Sequence, residues 1–247
     1  MVNIDLSYNK FFGKLPVWIE IISALLIVRL KANFFTGNIP SQLCSLPNLH
    51  ILDLSHNSFF GHIPHCIGNL SGMKSESISI KKGLYDVTHF GLMFARSTVS
   101  NTNSTITTQY VSILDLFNNH LYGTIPSSIC NLHFLKFLVL SNNKLSVELP
   151  SSLKNCTCLA SLDLGDNKFS GKLPSCIGET MPNILILHMR ANFFTEDIPL
   201  TFCSLANLHI LDFSYNSLSS HIPDCIGNLS GMIFELVDSD TALVNVS

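Results

Sequence analysis

The sequence predicts an α/β solenoid, a curved right-handed superhelix of about eight rungs with short parallel strands on its concave face and 3-10 or irregular structure on its convex side. Three observations predict this fold. An apolar frame that ends on asparagine, L-x-x-L-x-L-x-x-N, recurs along the chain, successive frames are mostly 24 residues apart, and a proline follows each of these asparagines by seven residues. Such a period is typical of proteins whose repeats stack on one another.

The alternating apolar positions of the frame predict a short strand, because side chains along a strand point to its two sides in turn. The leucines then point inward and stack from one repeat to the next in a continuous apolar column. A single repeat cannot bury its own apolar side, so the stack is the unit that folds.

The asparagine of the frame stands where the chain leaves the strand. A side-chain amide at this place can satisfy backbone groups that a tight interior turn would leave unpaired, and we expect its replacement to be costly. These structural asparagines are Asn9, Asn33, Asn57, Asn119, Asn143, Asn167, Asn192 and Asn216.

Proline and glycine predict the return path of each repeat. The proline, always preceded by Ile or Leu, favours extended backbone, and a glycine four residues after the asparagine permits a turn that a Cβ would strain. Glycine occupies this position in five of the eight repeats, and the exceptions are Val147, Glu196 and Ser220.

A second, larger period divides the chain. Residues 32–73 and 191–232 align without gaps and are identical at 30 of 42 positions, so a block of repeats is present twice. The intervening segment fits no frame, and its polar, Ser/Thr-rich part is typical of loop or disorder. The sequence therefore predicts three rungs in 1–73, a non-repeat insert in 74–110, five rungs in 111–232 and an irregular tail in 233–247.

Composition excludes several partners. Charged residues make up 13% of the chain and the formal net charge is -3, so there is no basic excess to bind nucleic acid or a membrane surface. The apolar run 17–30 contains Glu20 and is shorter than the roughly 20 residues that span a bilayer, so we expect a buried segment of the fold and no membrane span. No signal peptide is expected, since neither a basic start nor an apolar run follows Met1.

No catalytic or metal-binding constellation is expected. The ten histidines are scattered over repeat positions, and no phosphate-binding glycine loop or kinase catalytic motif occurs. Cys156 and Cys158 form an isolated C-x-C pair, which is too weak a signal for zinc. The sequence predicts a protein that is not an enzyme and needs no cofactor.

The frame continues into a pattern N-x-F/L-x-G-x-I-P, as in NNHLYGTIPSSI and NKFSGKLPSCIGE. This combination resembles the plant-type extracellular leucine-rich repeat, and it is similar more specifically to plant receptor-like proteins, which include fungal-elicitor receptors. The resemblance covers about 190 of the 247 residues and implies a leucine-rich-repeat solenoid.

In that family the letters GNLSGM mark the place where the repeats stop and a non-repeat island begins. They occur here twice, at 68–73 and at 227–232. The chain thus resembles an ectodomain fragment with a duplicated pre-island block, and the insert 74–110 is interpreted either as an island remnant or as a gene-model junction.

The resemblance implies a non-catalytic recognition module from a plant cell-surface immune or developmental receptor. Its expected ligand is an extracellular elicitor or peptide, its expected partners are receptor-kinase co-receptors, and its expected location is the extracellular face of the plasma membrane. Two alternatives stay open, a secreted leucine-rich-repeat inhibitor of a microbial wall-degrading enzyme and an inactive duplicated relic.

Such proteins usually bind ligands at the concave strand positions between the inward leucines. Aspartate occupies one of these positions in five rungs, and Arg29 and His188 occupy it in two others. These lateral rows are either a solvated ladder of little energetic value or a ligand-contacting stripe with aromatic neighbours. The candidate contacts are Arg29, Lys31, Asp53, His56, Asp115, Phe117, Asp163, His188, Arg190, Asp212 and Tyr215.

Cysteine spacing predicts two disulfides. Cys44 and Cys66 are 22 residues apart, as are Cys203 and Cys225, and this offset would bring the convex sides of adjacent rungs within disulfide range. The alternative is that these cysteines are buried thiols. The other four cysteines do not show this spacing.

Sequons for N-glycosylation suggest a secreted glycoprotein. Three of the five lie twelve residues after a frame asparagine and therefore fall on the same side of the solenoid. The alternative is that duplication of the repeats copied them. The candidate asparagines are Asn69, Asn103, Asn155, Asn228 and Asn245.

Overall fold

The structure, a computed structural model, describes residues 2–74, 78–80, 106–108 and 111–233. Its first sheet contains one strand from every repeat, and all of its strands run parallel in the order of the chain. These eight strands are Val2–Asp5, Leu25–Arg29, Ile51–Asp53, Ser112–Asp115, Leu135–Val139, Ser161–Asp163, Ile186–His188 and Ile210–Asp212. Each strand with the segment that follows it is called a rung, numbered 1 to 8 along the chain.

The first sheet forms because every strand presents an aliphatic side chain to the interior at the same register, Ile4 in rung 1, Val28 in rung 2 and leucine in the others. Leu52 pairs with Leu114, Leu114 with Leu138 and Leu138 with Leu162, and all four are fully buried. Burial of each such side chain stabilises the stack by about 1.5 to 3 kcal/mol. The predicted apolar column is therefore continuous along the solenoid.

A second parallel sheet follows the frame asparagines and was not predicted from the sequence. Its eight strands are Phe12–Lys14, Phe34–Gly37, Ser58–Gly61, His120–Gly123, Lys144–Val147, Lys168–Lys172, Phe193–Glu196 and Ser217–Leu218. Inward phenylalanines stack between its neighbouring strands, with ring centroids 6.3 Å apart for Phe35 and Phe59 and 6.5 Å apart for Phe169 and Phe194. These rings close the core opposite the leucine column.

Short helices form the convex side. Each begins one residue after the proline that follows the frame asparagine by seven residues, except the α-helix of rung 6, which begins two residues after Pro174. The prolines that precede the 3-10 helices have φ between -58° and -72°, as the ring of proline requires. The 3-10 helices are Val17–Ile21, Ser41–Ser45, His65–Asn69, Ser127–Asn131, Ser151–Asn155, Leu200–Ser204 and Asp224–Asn228, and the α-helix is Cys176–Thr180.

The apolar run 17–30 contributes a convex helix and the strand of rung 2. Leu25 and Val28 in this run are fully buried, so its hydrophobicity belongs to the core. Within the described residues, no helix combines the length and the apolar character needed to cross a bilayer.

The insert does not interrupt the first sheet. Ile51, Leu52 and Asp53 of rung 3 pair directly with Ile113, Leu114 and Asp115 of rung 4. Two short strands from within the insert, Ile78–Ile80 and Ile106–Thr108, pair antiparallel with each other. The rest of the predicted insert, and residues 234–247 of the predicted tail, lie outside the described residues.

The two copies of the octet CIGNLSGM occupy the same place on their rungs. Each lies across a convex 3-10 helix and a short helix after it, Ser71–Lys74 in the first copy and Ser230–Ile233 in the second. Gly68 packs so tightly on the backbone of Ser128 in rung 4 that a Cβ would overlap with it, whereas the equivalent Gly227 has open space around it. Identical residues thus have different neighbours.

The frame asparagines join consecutive rungs. In Asn119 the side-chain Nδ2 donates to the carbonyl oxygens of Leu54 and Leu116 at 3.0 and 3.1 Å, and its Oδ1 accepts from the Phe59 amide at 3.0 Å. The same contacts recur at the six other asparagines from Asn33 to Asn216. Asn9 of rung 1 instead donates only to carbonyls of its own rung.

The residue before each frame asparagine has a positive φ, which the sequence did not indicate. These eight residues have φ between 49° and 57°, and only His56, Asn118, Asn142 and Asp166 among them are of the types that tolerate this conformation well. The predicted glycine position also has positive φ throughout, so Val147 at φ 76° is strained. The positive φ of these residues is therefore imposed by the stacked rungs and not by the intrinsic preference of the residue types.

We expect Asn119→Ala to lower the free energy of unfolding by about 2 to 4 kcal/mol. The buried Phe59 amide loses its side-chain acceptor, and the buried carbonyls of Leu54 and Leu116 each lose one of their two asparagine donors. Urea denaturation of the whole chain measures this loss. Asn9→Ala is the matched control, since its carbonyl partners are exposed, and its expected loss is below about 1 kcal/mol. Equal losses in the two variants would show that the amide ladder does not join the rungs.

Candidate functional site

The candidate site is the outward side of the first sheet, here called the first-sheet face, formed by the side chains that alternate with the buried leucines. Register places Asp5, Arg29 and Asp53 side by side, and Asp53 next to Asp115. The Arg29 guanidinium lies 3.6 Å from the Asp5 carboxylate. The lateral rows inferred from the repeat spacing thus exist as a physical surface.

The middle of this row is buried, which differs from the exposed stripe that the sequence suggested. Asp53 is 1% exposed and Asp115 is 9% exposed. The Asp53 carboxylate accepts hydrogen bonds from the Ser55 amide and hydroxyl, at 3.0 and 2.6 Å. Beside the two aspartates, Ile51, Ile113 and Phe137 form a separate apolar cluster on the same face. Asp53 and Asp115 therefore do not present free carboxylates to solvent.

Burial has an electrostatic consequence at Asp115. Removal from water, and next the charge of Asp53 beside it, raise the pKa of Asp115 to about 7. Its carboxylate accepts a hydrogen bond of 2.9 Å from the Phe117 amide, which only partly offsets these effects. The protonation of the Asp115 carboxyl group therefore changes near neutral pH.

A polar rim follows the face where the strands end. His56 packs edge-on against Phe117, with ring centroids 4.8 Å apart, and its Nδ1 lies 3.0 Å from Nδ2 of Asn118. Burial and, less strongly, the charge of Lys31 lower the pKa of His56. The Lys31 ammonium lies 5.8 Å from the centre of the Tyr8 ring. These contacts fix the positions of the candidate ligand-binding residues Lys31, His56 and Phe117.

The second half of the face is more open. Asp163, His188 and Asp212 form a lateral row and are half-buried. The Ser141 hydroxyl donates to Asp163 at 2.7 Å, and the Ser214 hydroxyl donates to Asp212 at 2.7 Å. Each aspartate keeps polar atoms near the surface, so this row can contact a ligand without unfolding the rung.

Exposed side chains border that open row. The Arg190 guanidinium lies 3.4 Å from the Asp166 carboxylate rather than on Asp212, and Tyr215 is 80% exposed. An exposed ion pair of this kind contributes little stability, so Arg190 is available to another partner at small cost. Rungs 6 to 8 therefore bring together a cation, a histidine, carboxylates and an aromatic ring.

Three disulfides join neighbouring rungs on the convex side. The bonded pairs have Cα atoms 5.7, 4.7 and 5.6 Å apart and are Cys44–Cys66, Cys130–Cys156 and Cys203–Cys225. The first and third pairs have the 22-residue spacing on which the prediction depended. The second pair was missed because its separation is 26 residues, although it too joins neighbouring rungs. Cys158 and Cys176 are free.

Three of the five sequon asparagines lie at the ends of convex 3-10 helices. Asn69, Asn155 and Asn228 are all exposed there. Asn103 and Asn245 lie outside the described residues. The described sequons therefore lie on the side of the solenoid opposite the first sheet.

Metal binding has no support in the part of the chain that the structure describes, where no group of histidine, cysteine, aspartate and glutamate side chains could hold an ion.

Two parallel sheets, an asparagine ladder and proline-led convex helices together define a leucine-rich-repeat solenoid. The outward side of its first sheet is the candidate surface for recognition.

Comparison with known proteins also indicates leucine-rich repeats. The Leucine Rich Repeat family model matches residues 48–70, 110–132, 134–156, 158–179 and 207–229. The chain is homologous to the receptor-like protein EIX2 of Solanum lycopersicum, with 35% identity over 143 residues. That alignment covers 54% of this chain and 14% of the relative.

Solved structures of plant receptors have the same fold. The plant peptide hormone receptor RGFR1 in complex with RGF2 matches 93% of this chain at 26% identity and a TM-score of 0.75. The Arabidopsis receptor kinase HAESA, in complex with the peptide hormone IDA and the co-receptor SERK1, matches 93% at 30% identity and a TM-score of 0.60. The chain spans 31% and 40% of these two proteins, respectively.

The raised pKa of Asp115 predicts a pH dependence of stability. The folded chain holds this proton more tightly than the unfolded chain, so the contribution of Asp115 favours folding at low pH and is lost as pH rises from about 4 to about 7. Relative to Asp115→Asn, the free energy of unfolding of the natural chain should rise by roughly 1 to 3 kcal/mol when the pH is lowered from about 7.5 to about 4.

Chemical denaturation of both proteins across this pH range measures the difference. The comparison with the variant is needed because burial lowers the pKa of His50 and of His56, and these groups destabilise the fold as pH falls below about 6.5. Asp212→Asn is the control, since the pKa of Asp212 lies below its usual value. Parallel curves for the natural chain and Asp115→Asn would contradict the assignment.

Proposed function

We propose that the chain is a non-catalytic recognition module from the ectodomain of a plant cell-surface receptor-like protein. The observation that carries this proposal is the continuous first-sheet face, on which polar and aromatic side chains are fixed by the stack of rungs. The similarity to EIX2, RGFR1 and HAESA supports it. The whole receptor would lie at the plasma membrane with this module on the extracellular side.

The open part of the first-sheet face, in rungs 6 to 8, is the proposed contact area. Asp53 and Asp115 are buried, so they act in stability and not in direct contact. His188 and Arg190 can pair with acidic groups of a ligand, and exposed Tyr215 can pack on an apolar group. His188 stands on a strand, and Arg190 and Tyr215 follow the strands of rungs 7 and 8 by two and three residues, so little ordering of the backbone accompanies binding.

An extracellular elicitor or peptide is the proposed ligand, and receptor kinases are the proposed co-receptors. RGFR1 and HAESA are complexes with the peptide hormones RGF2 and IDA, and the HAESA complex contains the co-receptor SERK1. A row of carboxylate and imidazole side chains on parallel strands suits an extended peptide, whose own side chains alternate along its backbone. Glycans on Asn69, Asn155 and Asn228 would lie on the convex side and leave this face open.

The sequence of the full-length transcript tests the class of protein. We expect it to encode a signal peptide before these repeats and a membrane span after them. A signal peptide without a span would instead support the secreted inhibitor of a wall-degrading enzyme, and stop codons on both sides would support the inactive relic.

Substitution on the open face tests the site itself. We expect His188→Ala combined with Arg190→Ala to weaken binding by about tenfold or more, equivalent to about 1.4 kcal/mol, since two ligand contacts are lost. Peptides selected on the immobilised chain from a random library displayed on phage serve as probes, and biolayer interferometry measures their affinity.

Lys144→Ala combined with Lys168→Ala is the control, because these exposed lysines belong to the second sheet. The control should leave the affinity unchanged. Peptides that bind His188→Ala/Arg190→Ala as tightly as the natural chain would contradict this site. Circular dichroism of each variant checks that the solenoid is intact.

A further inference from the structure

Exposed aromatic rings are concentrated on the outward side of the second sheet in rungs 1 to 4. Phe12 is 84% exposed, Phe34 is 60% exposed, and Phe60 and Tyr122 are each 46% exposed. We call these four residues the aromatic face. Large apolar groups that remain exposed together on a folded surface mark sites of interaction more often than isolated ones do.

The four rings are placed by the strands and not by loops. Phe12 lies beside Phe34 in the parallel register, and Phe60 lies beside His120. The Tyr122 ring packs edge-on against His62, with centroids 4.7 Å apart. Their backbones are held by the sheet, so the rings lose little freedom when a partner covers them.

A shallow cavity opens next to the aromatic face. It has a volume of about 420 Å³ and is lined by residues of rungs 2 to 4, including Asn38, Gln42, His62 and Tyr122. Tyr122 thus belongs both to the aromatic face and to the cavity wall. A partner segment that covers the rings can also place one side chain among amide and imidazole groups.

Basic side chains lie next to the aromatic face. Lys10 and Lys14 are exposed at its rung 1 end, and the four second-sheet strands of rungs 1 to 4 contain no aspartate or glutamate. Farther along the same sheet, Glu196 appears and pairs with Lys172 at 2.6 Å. The aromatic end of the sheet can therefore attract an acidic partner without strand carboxylates that would repel it.

The internal duplication shows that the fold does not require these rings. Ser170 and Ser219 stand at the positions equivalent to Phe12 and Phe60, whereas Phe193, which is 58% exposed, stands at the position equivalent to Phe34. Both blocks form the same strands. The second block thus forms the same sheet without exposed phenylalanines at the positions of Phe12 and Phe60. In rungs 1 and 3 these side chains add apolar surface that the fold does not need.

We propose that the aromatic face binds an acidic segment of a partner protein. Apolar side chains of the segment pack on Phe12, Phe34 and Phe60, and its carboxylates pair with Lys10 and Lys14. A protein segment is favoured over a sugar chain because three of the four rings are phenylalanines, which offer no hydrogen bonds to hydroxyl groups. The surface is separate from the first-sheet face, so it does not depend on the proposed ligand site.

Selection from a random peptide library displayed on phage, with the whole chain as bait, tests this proposal. We expect a class of selected peptides enriched in Asp and Glu together with Leu, Ile or Phe, with affinity that falls as salt is raised. Phe34→Ser should weaken their binding by about tenfold or more.

Phe193→Ser is the matched control, because it removes the same side chain with similar exposure from the equivalent position of the second block. It should leave binding unchanged. The double variant Phe12→Ser and Phe60→Ser uses serines that the second block already accommodates, and its thermal unfolding verifies folding.

Several outcomes would overturn the proposal. These are selected peptides without acidic enrichment, equal effects of Phe34→Ser and Phe193→Ser, or binding of an acidic oligosaccharide in place of peptides. A dimer in size-exclusion chromatography that Phe34→Ser dissociates would also overturn it, since the occupant would then be a second copy. Sensitivity to His188→Ala/Arg190→Ala instead of Phe34→Ser would assign the peptides to the first-sheet face.

Discussion

The asparagine ladder is the interaction on which the rest of the structure depends. Each amide from Asn33 to Asn216 satisfies carbonyls of two rungs and the backbone amide of a residue in the preceding rung. Without it, the turn between the two sheets would bury unpaired backbone groups, at a cost of about 1 to 3 kcal/mol for each group. The ladder therefore sets the register of both sheets, and through them the position of every outward side chain.

Equivalent residues of the duplicated blocks differ in environment, although their sequences are nearly the same. His50 is buried and lies 3.4 Å from the Ser112 hydroxyl, whereas its counterpart His209 is exposed. Asp53 is buried, whereas Asp212 is half-buried. Because each rung is completed by its neighbours, position in the stack decides what a copied residue does. The two copies of nearly the same sequence therefore form surfaces that differ in burial.

The repeat frame predicted the fold, the structural asparagines and the strand rows, because each of these follows from periodicity. Periodicity says nothing about what covers a given rung, so burial of Asp53 and Asp115 could not be predicted. The disulfide between Cys130 and Cys156 was missed because it departs from the repeat spacing. The second sheet was missed because its short strands contain residues such as Lys172 and Gly123, whose intrinsic preference for strands is low.

Direct pairing of rungs 3 and 4 across the insert has a consequence for the order of folding. Neighbouring rungs usually close a loop of about 24 residues, whereas this pair closes one of 62, which costs only about 0.8 kcal/mol more in chain entropy. The entropic penalty at equilibrium is small, but this contact joins residues farther apart in sequence than any other contact between neighbouring strands of the first sheet. Nucleation should therefore begin independently within residues 2–74 and 111–233, and their meeting at Leu52 and Leu114 should be the late, slow event.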